Sequence, residues 1–282
     1  MKDISLGQFY PADSFTHKMD PRAKLVLVVA FIVMAFLAKN FLSYFAVMLC
    51  VISATLVSRI PILKVLKSIK AIIFILIFTG ILNLLFYNGE TVLWSWWQIK
   101  ITVEGIIFSV KMVLRLVLLV MGTTLLTYTT TPTAITDGME SLMHPLKYIK
   151  VPVHDIAVIM SIALRFIPII SEEVDKIMMA QKARGAAFDN GGLLKRAKAL
   201  LPVLIPLFVS AFRRADELAL ALDARCYNAT PNRTRYKQMK FSLRDVLGVL
   251  GTAAFIVLVV ALNNNFWGAY EPVASVWWLF SV

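Results

Sequence analysis

Five stretches of this sequence are so apolar that water is the wrong solvent for them: residues 25–38, 41–58, 71–87, 103–128 and 247–262. A helix needs about 20 residues to cross a bilayer core of about 30 Å. Inside that core a backbone must satisfy its own hydrogen bonds. The stretches therefore read as helical spans of marginal length. The two-residue break at Lys39-Asn40 predicts a tight hairpin between the first two. Composition agrees: 59% of residues are hydrophobic and 16% charged. Soluble domains run near 45–50% apolar and about 25% charged, which speaks against an ordinary soluble enzyme.

A chain this apolar also carries a net charge of +12, and the charge is sorted. Of 29 Lys and Arg, 4 precede the first span, 4 lie between the second and third, and 17 lie in residues 129–246. Lys39 and Lys100 alone fall on the opposite side, and Lys111 and Arg115 lie within the fourth span. By the positive-inside rule the N-terminus and the 129–246 block are cytoplasmic and the C-terminus is outside. Trp94, Trp96 and Trp97 in the outer loop, and Trp267, Trp277 and Trp278 in the tail, suit an interfacial belt. Lys24 reads as snorkelling from the end of the first span. The two cysteines, Cys50 and Cys226, indicate neither a disulfide scaffold nor a zinc site. No apolar segment follows a basic start, so no cleavable signal is expected.

Residues 129–246 show helical periodicity and no strand pattern. Thr131-Pro132-Thr133 opens a helix, with a capping hydroxyl ahead of a first-turn proline. Ile135, Met139, Leu142, Met143 and Leu146 share its face as far as about Lys147. Val151-Pro152 breaks the run. Residues 153–170 are nearly apolar, interrupted by Asp155, Arg165 and Pro168, and residues 171–187 are charged and helical. After a turn at Asn190-Gly191-Gly192, residues 193–210 are apolar around Pro202 and Pro206, and residues 211–225 are amphipathic. Two of these helices are apolar enough to count as spans. Long helices along the inner membrane surface, bent by Pro168 and Pro206 toward the cytoplasm, fit the abrupt switch from apolar to charged halves better.

The two long helices end alike. Ala183-Arg184-Gly185 follows Pro168, and Ala224-Arg225-Cys226 follows Pro206, with Pro-to-Arg spacings of 16 and 19. Small flanking residues leave a guanidinium free to reach a partner, and its planar fork binds carboxylates or carbonyls in pairs. A basic residue at a helix C-terminus also merely complements the dipole, by about 0.3–1 kcal/mol. Pattern alone leaves both readings open.

Residues in family order settle the preference. Phe15-Thr16-His17-Lys18-Met19-Asp20-Pro21-Arg22-Ala23-Lys24, then Arg115, Thr129-Thr130-Thr131-Pro132, Ala163-Leu164-Arg165-Phe166-Ile167-Pro168, Ala180-Gln181-Lys182-Ala183-Arg184-Gly185 and Ala224-Arg225-Cys226 together resemble the EcfT family. These are the transmembrane T components of energy-coupling-factor (ECF) transporters, which import vitamins and transition metals. Cys226 departs from the glycine usual there. The resemblance implies an all-α integral membrane protein with about five transmembrane helices and long amphipathic cytoplasmic-side coupling helices between spans four and five. Its regions would be 1–128 (four spans), 129–240 (coupling helices) and 241–282 (last span and extracellular tail). It further implies two ABC-type ATPase partners, docked through Ala183, Arg184, Gly185, Ala224, Arg225 and Cys226. A substrate-binding S component would sit in the membrane beside it, with no cofactor, no metal and no nucleic acid.

The residues agree on one point: none of the 12 glycines is followed by lysine, so the chain lacks the usual phosphate-binding loop. Other constellations carry less. Lys111 and Arg115, at i and i+4, could serve an anion pathway in a stand-alone secondary transporter. The reading preferred here pairs them with carbonyls or with a distant carboxylate such as Glu104. His17, His144 and His154 have no metal-ligand spacing. Asp137, Glu140 and Asp155 lack a nucleophile to make them an enzyme site. Asn232-Arg233-Thr234 lies on the cytoplasmic side, where glycosylation does not occur. The basic run 233–244 abuts the last span and suits anionic lipid.

Overall fold

A computed structural model describes residues 9–87, 89, 91–96, 99–149, 152–186, 188, 192–227 and 241–265. Trp97, Trp267, Trp277, Trp278, Asn190-Gly191, Asn232-Arg233-Thr234 and the basic run as far as Lys240 lie outside the described residues.

Helix α1 (Pro21–Leu37) opens on Asp20, whose carboxylate accepts the Arg22 amide at 2.9 Å, with Pro21 at the first helical position. That is a strong start signal. A short break leads to α2 (Phe41–Val57), the hairpin expected at Lys39-Asn40. The third span is longer and less straight than the sequence suggests: α3 (Ile62–Lys70) and α4 (Ile73–Phe86) are joined by a 62° bend. The outer connection is not a plain loop. Strands β1 (Val92–Trp96) and β2 (Ile99–Thr102) pair antiparallel, with an irregularity between Val92 and Trp94. Thr102 then caps α5 (Val103–Thr129), its hydroxyl accepting the Gly105 amide at 3.1 Å.

Helix α6 (Pro132–Leu142) begins where Thr131 predicts, with that hydroxyl accepting the Ala134 amide at 3.3 Å. It does not run to Lys147. Pro145 has no amide hydrogen to continue an α-helix, and His144–Ile149 form a 3-10 helix instead. Two long helices follow, α7 (Val153–Ala183) and α8 (Leu193–Ala224). Each is continuous through its prolines, Pro168 in α7 and Pro202 and Pro206 in α8. Helix α9 (Leu243–Asn265) completes the described chain.

By length and composition, α5, α7 and α9 can each cross a membrane, and the bent pair α3–α4 makes a fourth candidate. At 17 residues apiece, α1 and α2 fall just short of the usual length. Helix α7, expected along the inner surface, is thus also long and apolar enough to span. Among the described residues the helices are joined by a single two-stranded hairpin, and the protein is an all-α membrane fold.

Two compact units divide the chain: residues 7–138 with 239–282, and residues 139–238. In the first, α5 packs against α1, α2, α3 and α4, and α9 packs against α1 and α2. Their shared core holds Phe31, Met34, Val47, Val51, Leu118 and Val259. The outward faces are as apolar as the core: Phe74 is 77% exposed and Val257 66%. In water that much apolar surface would drive aggregation; in lipid it is the expected exterior. In the second unit α7 and α8 pack against each other.

Candidate functional site

Helices α7 and α8 run antiparallel. Gln181 Nε2 donates to the Pro202 carbonyl at 3.3 Å, while Glu173, two turns earlier on α7, meets Ser210 and Arg214 further along α8. The Ser210 hydroxyl donates to Glu173 Oε1. Arg214 places Nε at 3.0 Å and Nη2 at 2.9 Å from Glu173 Oε2. Glu173 lies in the charged half of α7, beyond the apolar stretch. Glu173 and Arg214 are partly exposed, so the ion pair contributes about 1 kcal/mol or less. It fixes register more than it adds stability.

The six sequence-predicted residues fall at the two far ends of this pair. Ala183 closes α7, Arg184 is its C-cap (φ −85°, ψ 7°), and Gly185 follows at φ 88°. The Gly185 amide donates to the Lys182 carbonyl at 3.0 Å and the Ala186 amide to the Gln181 carbonyl at 3.0 Å. Ala224 closes α8, Arg225 is its C-cap (φ −91°, ψ 9°), and Cys226 follows at φ 53°. The Cys226 amide donates to the Asp223 carbonyl and the Tyr227 amide to the Leu222 carbonyl, both at 2.9 Å. Both ends are Schellman caps, closed by the same pair of bonds in the same order. All six residues are exposed. Because the helices are antiparallel, the two ends point apart. At a 1.5 Å rise per residue, they stand up to about 40 Å from each other along the pair.

Other predicted groups are accounted for locally. Arg115 Nη2 donates to the Ala38 carbonyl at 3.0 Å, and its guanidinium carbon lies 5.6 Å from the Phe36 ring centre and 5.8 Å from that of Tyr44. This is the carbonyl partner expected of it. Lys111 Nζ stands 5.6 Å from the Phe41 ring. Glu104 instead accepts from the Thr91 hydroxyl at 2.6 Å. His17 lies between the Ser14 hydroxyl, 2.6 Å from Nδ1, and the Tyr10 carbonyl, 2.9 Å from Nε2. His154 meets Glu140 at 3.1 Å. Among the described residues no three His, Cys, Asp or Glu groups are placed to hold a metal ion.

Sequence reasoning missed one cluster, in the unit of residues 7–138 and 239–282. Lys24 does not snorkel: it is 6% exposed and buried among polar partners. Its Nζ donates to the Thr129 carbonyl at 3.0 Å, the Thr130 hydroxyl at 3.2 Å and the His17 carbonyl at 3.4 Å. Asp245 is 1% exposed and accepts the Asp20 amide at 2.8 Å and the Ser242 amide at 2.7 Å. The second of these bonds is half of a capping box. Asp20, 6% exposed, completes the set. Thr130 and Ser242 flank the excursion of the chain through residues 139–238. The available signals were Asp20 four residues before Lys24, and Ser242 three before Asp245.

Comparison with known proteins gives the whole chain a family. The family model described as "CbiQ: Cobalt transport protein" matches residues 12–236. A protein of Ruminiclostridium cellulolyticum named "Energy-coupling factor transporter transmembrane protein EcfT" is 49% identical over 266 residues, 94% of this chain and 99% of the relative. The protein of that name from Acidaminococcus fermentans is 46% identical over 95% of this chain and 98% of its own length. The Bacillus subtilis one is 41% identical over 93% and 99%.

Proposed function

The chain belongs to this CbiQ/EcfT family, and we propose that it is the scaffold and energy-coupling subunit of an ECF-type ABC importer for vitamins or other micronutrients. It is a multi-pass membrane protein and a transporter component, not an enzyme. In the proposed mechanism two cytoplasmic ABC-type ATPases hydrolyse ATP. Arg184 and Arg225 dock into grooves on them, each flanked by its small neighbours: Ala183 and Gly185, Ala224 and Cys226. ATP-driven closure moves the two ends of α7 and α8, and these coupling helices carry the motion to a substrate-binding S component in the membrane. The region 129–240 acts as the coupling element between the spans of 1–128 and the last span with its tail in 241–282.

One observation carries this reading: two exposed arginines at geometrically equivalent caps, at opposite ends of one antiparallel helix pair. A lone exposed arginine is a solubilising group. A matched pair set wide apart suits two related partner surfaces. A guanidinium fork meeting carboxylates or carbonyls on each ATPase supplies charge-assisted bonds. A stand-alone anion carrier is a poorer fit, because Arg115 is held by a backbone carbonyl and two aromatic rings.

The test reverses both charges. The double variant Arg184→Glu, Arg225→Glu is expected to insert in the membrane at normal level, yet to lose co-purification of the ATPase pair and ATP-driven uptake. Retained uptake would overturn the role of the arginines. Purification as a lone, transport-competent protein would overturn the subunit reading altogether.

A further inference from the structure

The third residue of each motif enters the proposed docking site only as a small neighbour of its arginine, yet both stand in the one backbone region that L-residues avoid. Gly185 has φ 88° and Cys226 φ 53°. Left-handed geometry suits glycine and costs other residues. At Gly185 an added Cβ would meet nothing within 4 Å. No atom of this chain therefore excludes a side chain there, whereas the backbone angle disfavours one. At the second end a cysteine stands in the same left-handed region at a cost, and the equivalent two bonds close the cap there.

We infer that Gly185 and Cys226 are positioning residues, whose left-handed backbone rather than side chain sets the direction in which Arg184 and Arg225 are presented. The two arginines have backbone angles matching within a few degrees. Each is the last residue before the left-handed turn that closes its helix. Without the left-handed turn the helix would either continue, leaving its arginine inside a run of helix, or fray, leaving it without a fixed direction. The cap alone is not a docking device. Helix α2 ends in a similar cap, with Arg59 itself left-handed at φ 53° and bonds from Arg59 to Leu56 and Ile60 to Thr55. What distinguishes α7 and α8 is phase: the arginine comes one position earlier, as the C-cap, and the small residue takes the strained position.

This inference rests on the proposed docking role of the two arginines, and the experiment separates the two. Full-length protein in nanodiscs is titrated with the ABC-type ATPase pair co-expressed with it, across Gly185→Asn, Gly185→Ala, Gly185→Val, Cys226→Gly and Cys226→Val. Asparagine tolerates the left-handed region and β-branched residues do not. Gly185→Asn is expected to bind roughly five- to tenfold more tightly than Gly185→Val, and Cys226→Gly than Cys226→Val by the same factor. Gly185→Ala should fall between Asn and Val, although alanine is the smaller side chain. Affinities that follow side-chain size, or a Cys226→Gly variant as weak as Cys226→Val, would overturn the inference. If valine variants bind normally while Arg184→Glu with Arg225→Glu abolishes binding, the positioning role fails and docking stands. If the double charge reversal binds normally, the docking reading itself fails.

Discussion

Lys24 shows how much a single residue can hide from sequence reading. A lysine at the edge of an apolar stretch has two physical options: reach for water or find partners inside. Composition and periodicity do not separate them. The partners that decide it, Thr129 and Asp245, lie more than a hundred positions away. The arginines at 184 and 225 were legible because their signal is local, a basic residue between small ones where helical periodicity stops. Their matching caps were not, since the cysteine at 226 conceals a backbone equivalence with glycine. For Lys24 the energetics are stark. Removing one partner of a buried charged cluster leaves the others uncompensated, typically at 3–5 kcal/mol. Lys24→Met, close in volume but uncharged, is expected to destabilise the membrane unit on that scale. Thermal unfolding in detergent, or loss of folded yield, reads it directly, and an unchanged transition would show that Asp20 and Asp245 do not depend on the amine.

At the scale of elements, most helices were visible because apolar runs and their proline or hydroxyl starts coincide, as at Pro21 and at Thr131-Pro132. Three features were not. The 62° bend between α3 and α4 falls at Ala71-Ile72, a pair without proline or glycine to announce it. The hairpin of Val92–Trp96 with Ile99–Thr102 sits in a loop too short and aromatic to declare a period. The crossing of α1 on α5 depends on Gly122, where a Cβ would overlap the buried Phe31 ring. Gly122 permits a closer approach of two helices than any side chain would. Gly122→Ala should therefore cost about 1–3 kcal/mol through overpacking. Gly251→Ala, on an open face of α9, should be neutral or gain up to about 1 kcal/mol from helix propensity. Comparing the two unfolding midpoints isolates packing from propensity, and equal effects would remove the case for a close approach at Gly122.

For the whole molecule, the sorted charge remains the strongest guide to orientation. Seventeen of 29 basic residues lie in residues 129–246, and translocating them would be costly. We therefore expect the N-terminus in the cytoplasm and the C-terminus outside, which requires an odd number of crossings. Green fluorescent protein fused after Val282 should be dark and alkaline phosphatase fused there active. The reverse pattern would invert the orientation. The sequence carried this much because charge asymmetry is additive along a chain. The division into units was harder to read, since the first of them is assembled from both ends of the chain.

That division bears on the order in which the protein is made. The hydrogen bond from the Asp20 amide to Asp245 joins residues 225 positions apart. At about 5–20 residues per second, the ribosome needs roughly 10–45 s to deliver the second after the first. Throughout that interval the start of α1 sits in the membrane with Lys24 lacking the Asp245 charge, while α7 and α8 emerge. Helix α9 therefore brings the carboxylate partner late. A chain truncated before α9 is therefore expected to keep its buried lysine without that carboxylate, and to fold less stably than the full chain.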